Sequence, residues 1–142
     1  MLYIEEVKKI LSNLDNLKEA LKSLDYQIEE IECKLDGYRG LSYEGLPGGK
    51  GKKLDTRRES LILERDNLKD KLHRTNETVL FIEHFLDQLQ EQERHILTAL
   101  FVHGKKLNDL SRELRLSRSK VHRIKEKALH TLAVKYYGID AI

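Results

Sequence analysis

One proline, one cysteine and no tryptophan leave this 142-residue chain few of the residues that usually constrain a small fold. A lone Cys33 excludes an intrachain disulfide framework and fits a reducing cytosol. It falls on the outer face of an expected helix, where a thiol is incidental. Aromatics make up 6% and charged residues 35%. That is too polar for a large globular core and matches long solvated helices. Long apolar runs are missing as well. The longest, such as Val79–Ile82, have four residues, far short of the ~20 that cross a bilayer. Charge begins at Glu5, so no signal peptide fits. The expectation is a soluble, intracellular protein that does not engage a membrane.

Catalytic and ligand-binding patterns are equally scarce. The histidines, at 73, 84, 95, 103, 122 and 130, form no H-E-x-x-H, and no cysteine pair accompanies them. A zinc site is therefore not expected. Paired carboxylates such as Glu29–Glu30 fall on solvated helix faces rather than in a pocket, and no nucleophile motif such as G-x-S-x-G occurs. Residues 37–53 hold six of the eight glycines, the only proline (Pro47) and Lys50, Lys52 and Lys53. The order G-x-x-x-x-G-K-[S/T] of a phosphate-binding loop is absent there, and no buried strand precedes the stretch. It reads as a flexible loop. No enzyme activity, cofactor or metal is expected.

What is present is periodicity. Val7, Leu14, Leu21, Ile28 and Leu35 form one track through residues 3–38, and Tyr3, Ile10, Leu17, Leu24, Ile31 and Tyr38 form another. Spacings alternate between three and four, the heptad of a coiled coil. After the glycine stretch, Leu54, Leu61, Leu68, Thr75, Ile82 and Leu89 recur every seven residues up to about Gln90, with Leu72, Val79 and Leu86 in support. Arg58 and Arg65 weaken the companion track, and Thr75–Asn76 could cap a fresh helix or mark a bend. Two long helices of similar length joined by a loop favour an antiparallel hairpin. A parallel coiled coil between two copies, built on the first helix, is the alternative. The expected fold is all-α: a helical coiled-coil hairpin over residues 1–90, then a small domain over 91–142.

That second region opens with a helix over Gln90–Val102, whose apolar face is Ile96, Leu97, Leu100 and Phe101 and whose stop is Gly104. Residues 107–132 then read as two helices around a tight turn. Leu107, Leu110 and Leu114 space the first; Val121, Ile124, Ala128 and Leu132 space the second. Between them Leu116 is an apolar plug and Ser117 a helix N-cap. This is the layout of a helix-turn-helix, whose second helix enters the DNA major groove. Ser111 supplies the small residue needed where the helices cross. Arg115 stands where the backbone visits positive φ, at a cost of about 1 kcal/mol. Tyr136, Tyr137, Ile139 and Ile142 are expected to fold back onto this unit or onto a partner.

Charge is segregated along the chain. Residues 1–36 carry five basic against nine acidic side chains and residues 59–93 four against nine, whereas residues 94–142 carry eleven against four. Positive charge thus collects around the helix-turn-helix, as attraction to phosphate requires. Ser117, Arg118, Ser119, Lys120, His122 and Arg123 lie on the outward face near the start of the second helix. Arg118, Lys120 and Arg123 can donate to guanine O6 and N7, with Ser119 and His122 as adaptable donors. Lys105, Lys106, Arg112, Lys125 and Lys127 are placed for phosphates, which set affinity and register.

The stretch LDQLQEQERHILTALFVHGKKLNDLSRELRLSRSKVHRIKEKALHTL resembles region four of bacterial sigma factors. E-R-x-I-L before the first helix and S-R-S-K-V-H-R-I-K-x-K-A-L in the second carry the likeness, over about a third of the chain. The whole layout, with a loop like SYEGLPGG between helical segments, is similar to phage late-gene transcriptional activators of the RinA and ArpU type. Members usually carry alanine and often glycine at the places of Ser111 and Arg115. The resemblance implies a promoter-binding regulator of phage or prophage late, packaging or lysis genes, in the cytoplasm of a bacterial host. Double-stranded promoter DNA is the expected partner. The acidic helices would pair two copies into a homodimer or contact RNA polymerase. A small terminase-like packaging protein is the second reading, and a structural coiled-coil adaptor the third.

Overall fold

The computed structural model describes the backbone of residues 2–39 and 48–142 and the side chains of residues 2–38 and 56–142. Among the described residues six α-helices follow one another: α1 (Leu2–Ser12), α2 (Leu14–Arg39), α3 (Gly48–Gln88), α4 (Glu91–Leu97), α5 (Leu107–Leu114) and α6 (Arg118–Tyr137). A π-helical turn, Thr98–Val102, follows α4, and a 3-10 turn, Gly138–Ala141, follows α6. No strand occurs among the described residues. The chain is all-α, with α2 and α3 forming an antiparallel hairpin. It divides into two compact units, Glu19–Asn76 and the combination of Met1–Lys18 with Glu77–Ile142.

In the unit Glu19–Asn76 the heptad tracks form the contact. Ile31, Leu35 and Leu61 are buried together, with Tyr38, Ile62 and Leu68 packed around them. Glu32 pairs with Lys69 at 3.3 Å, so residues rising along α2 meet residues falling along α3. Cys33 is exposed. The loop expected over 37–53 needs correction at both ends. Residues 40–47 and the side chain of Leu54 lie outside the described residues. On either side the backbone is helical, to Arg39 and again from Gly48. Glycine lowers helix propensity by about 1 kcal/mol without forbidding the helix. Extending an existing helix adds a hydrogen bond per residue, and no proline follows Pro47 to block it. Thr75–Asn76 begins no new helix either, since α3 is continuous. The Thr75 hydroxyl instead donates to the Lys71 carbonyl at 2.8 Å, the back-bond open to a threonine inside a helix.

The other unit joins the first helix to the C-terminal half. The heptad pattern ends near residue 90, where the sequence places a boundary, whereas the packing groups residues 1–18 and 77–90 with the C-terminal region. Helix α1 lies against α6 and the π turn. Its Val7 and Leu11 are completely buried, as are Ile82, Ile96, Leu97, Leu129 and Leu132. The break between α1 and α2 is local: the Asn13 side-chain amide donates to the Lys9 carbonyl at 2.8 Å, competing with the helix ladder. Lys18 pairs with Glu83 at 3.0 Å on the surface. Tyr136 and Tyr137 do fold back: the Tyr136 ring meets Phe85 edge-on at 6.4 Å, and Tyr137 sits 4.7 Å from Tyr3. Ile139 and Ile142 stay exposed.

Candidate nucleic-acid interface

Apolar spacing builds the frame of the interface. Ile96, Ala99, Leu110 and Val121 are buried together, and Leu100, Leu107, Leu114, Leu116 and Ile124 pack against them. One buried residue each from α4, the π turn, α5 and α6 thus reaches a common core. Burial of Ile96, Leu110 and Val121 is worth roughly 1.5–3 kcal/mol each in transfer free energy, which steadies short helices that would not persist alone. Ser111 is buried where α5 meets α6, and its hydroxyl donates to the Asn108 carbonyl at 2.9 Å. A larger side chain there would push the helices apart.

The turn closes by a recognisable set of bonds. Arg115 takes a left-handed conformation, φ 56° and ψ 39°. Its N–H donates to the Arg112 carbonyl at 3.2 Å, and the Leu116 N–H donates to the Ser111 carbonyl at 3.1 Å. These two bonds satisfy carbonyls that the end of α5 would leave open, and Leu116 adds the hydrophobic contact that accompanies such a stop. Ser117 follows in an extended conformation and accepts from the Lys120 N–H at 3.1 Å, capping α6. Upstream, Gly104 at φ 69° ends the π turn, with the Lys105 N–H donating to the Ala99 carbonyl at 2.9 Å. The helical span expected over Gln90–Val102 is α-helical over Glu91–Leu97 and π-helical over Thr98–Val102. Helix α6 continues past residue 132 to Tyr137, where Gly138 ends it.

Ser117, Arg118, Ser119, Lys120, His122 and Arg123 are all exposed, while Val121 and Ala128 of the same helix are buried. The phosphate candidates separate into two groups. Lys106, Arg112 and Lys127 are exposed and, among the described residues, make no ion pair. Lys105 is bound to both oxygens of Glu113, and the half-buried Lys125 lies 3.4 Å from Glu126. Two of the five cations are thus partly neutralised within the protein.

Residues 85–133 match the model of Sigma-70, region 4. The match covers about a third of the chain and takes in α4, the π turn, α5 and most of α6. It supports a DNA-binding helix-turn-helix of the sigma-region-four kind. Comparison with curated proteins and with solved structures returned no match. The E-R-x-I-L motif has a structural counterpart: Glu93, Ile96 and Leu97 are buried in α4 while Arg94 reaches toward Asp87 at 3.9 Å. Sequence reasoning missed two participants. Glu113 appears in sequence as one more solvated acid of α5, and its partner Lys105 lies before the start of that helix, where no helical spacing points to it. Arg115 was noted only as a costly turn residue, although it stands exposed beside the start of α6.

No helix among the described residues is long and apolar enough to cross a membrane. Among the same residues no cluster of His, Cys, Asp or Glu is arranged to hold a metal ion.

Proposed function

We propose that this protein is a sequence-specific transcriptional activator of phage or prophage late genes. It reads promoter DNA in the major groove with the first turns of α6 and has no catalytic role. The observation that carries the reading is the row of exposed cations Arg118, Lys120 and Arg123. They extend from a capped helix start that a leucine core holds outward, inside the segment similar to sigma region four. In this reading Arg118, Lys120 and Arg123, with Ser119 and His122, address base edges, while Lys106, Arg112 and Lys127 address phosphates. The phage assignment draws on the resemblance of the layout to late-gene activators. RNA polymerase and a second copy of the chain are the protein partners it proposes, in the cytoplasm of a bacterial host.

Footprinting on the DNA that neighbours the coding sequence tests the proposal. A protected site of defined sequence is expected, lost when Arg118 and Arg123 are both replaced by alanine while helicity by circular dichroism is retained. Uniform, sequence-independent binding across that DNA by wild type would remove the regulator reading.

A further inference from the structure

We propose that Arg115 is a DNA-phosphate contact, retained in a strained backbone conformation for its charge. The inference rests on the DNA-binding reading above and adds a residue to it. Three positions among the described residues have positive φ: Gly104, Gly138 and Arg115. Two of them are glycine, the residue that adopts this region without steric penalty. At Arg115 the β-carbon works against the turn, yet the turn geometry is fully formed.

The two turn bonds and the Leu116 contact hold this conformation, but they use backbone groups and a neighbouring side chain, so a glycine would make them equally well. The Arg115 side chain is exposed. No carboxylate pairs with it among the described residues. A non-glycine residue in this region is found most often where it serves a site, and what the turn leaves without an internal partner, among the described residues, is the guanidinium itself. The chemistry of a group that would pair with it follows from the position. Arg115 lies two residues before Ser117, at the positive end of the 20-residue helix α6. Exposed Arg112 and Arg118 flank it three residues away on each side. A guanidinium in such surroundings suits an anion, and its paired N–H groups match the oxygens of a phosphodiester. A contact of this kind sets affinity and register without reading sequence.

The test uses the full chain, a fluorescently labelled duplex of mixed sequence, and anisotropy titrations over a series of salt concentrations. Arg115→Gly is expected to raise the thermal midpoint, with the folding constant increasing about fivefold. It should weaken DNA binding about five- to tenfold and reduce the slope of log affinity against log salt by about 0.9, the signature of one lost phosphate contact. Arg115→Lys keeps both the strain and the charge, and should match wild type in midpoint while retaining most of the affinity. Arg115→Gly binding with wild-type affinity and slope overturns the inference. A lower midpoint for Arg115→Gly overturns it too, because the arginine would then be supporting the free fold. The Arg118→Ala/Arg123→Ala variant on the same duplex separates the two levels of the argument. If wild type binds, and that variant weakens while Arg115→Gly does not, only the role of Arg115 falls. If wild type shows no salt-dependent binding, the DNA reading falls and takes this inference with it.

Discussion

The ammonium of Lys105 lies 3.0 and 2.9 Å from the two carboxylate oxygens of Glu113, tying the segment before α5 to the last turn of that helix. Both side chains are about half exposed, so the pair contributes no more than about 1 kcal/mol to folding. Its larger effect is on charge directed at DNA. Glu113→Gln should free the lysine and raise affinity for a duplex about two- to tenfold at low salt, with a steeper salt dependence by about 0.9. The thermal midpoint should barely move. In the Glu113→Gln/Lys105→Ala double variant the gain should disappear, which assigns it to the ammonium rather than to the lost carboxylate. Equal gains in single and double variants would remove Lys105 from the phosphate set.

Capping and binding can be separated at Ser117. Its oxygen accepts from the Lys120 N–H, so Ser117→Ala should cost about 1 kcal/mol and lower the midpoint by a few degrees. Ser117→Asp caps at least as well and places a negative charge at the favourable end of α6. It should therefore preserve stability while weakening DNA binding, because that charge would face phosphate. Thermal melts and anisotropy on the same two proteins give both readings. An aspartate variant that binds DNA as tightly as wild type would place the start of α6 away from the duplex.

How much of this was visible in the sequence depends on how local each cause is. The hairpin was legible because a period of 3.5 puts Ile31, Leu35 and Leu61 on facing seams wherever the helices pair. The turn was legible because Leu116, Ser117 and Arg115 each act on their immediate neighbours. The docking of α1 on α6 was not. Leu11 stands outside both heptad tracks, and α1 is buried against α6 and the π turn, elements far away in sequence. The π turn was not legible either, since Thr98–Val102 has the same apolar spacing that an α-helix would use. The start of α3 at Gly48 went against local propensity, which is a weak term once a long helix is already formed.

Helix α1 is expected to behave as part of the helix-turn-helix unit rather than as an independent arm. Leu11→Ala empties a completely buried position and should cost about 2–5 kcal/mol, comparable to Leu110→Ala in the centre of the helix-turn-helix. Hydrogen exchange reports where that loss is felt. The amides of α6 around Leu129 and Leu132 should lose protection in both variants. Protection of α6 that survives Leu11→Ala unchanged would mean that the first helix adds nothing to the DNA-binding unit.

Alkaline pH probes the far end of α6. Burial pushes the Tyr137 phenol above its ordinary value of 10.0, and the neighbouring Tyr136, Glu6 and Tyr3 push in the same direction by disfavouring a new negative charge. An acid that the fold keeps protonated holds its proton more tightly folded than unfolded. Below pH 10 both states carry the neutral phenol, and its contribution is constant. As pH rises through 10 the unfolded chain ionises first, so stability is lost progressively up to the raised folded value. Tyr137→Phe keeps a ring against Tyr3 and Tyr136, which lie 4.7 and 4.8 Å away by ring centre, and removes the titrating group. Lysines and the other tyrosines titrate in both proteins, so the comparison isolates one hydroxyl. Thermal midpoints measured from neutral pH upward should run parallel until about pH 10, above which wild type falls more steeply than the phenylalanine variant. Parallel curves throughout would show that the contact between α1 and the end of α6 does not shield Tyr137 from solvent.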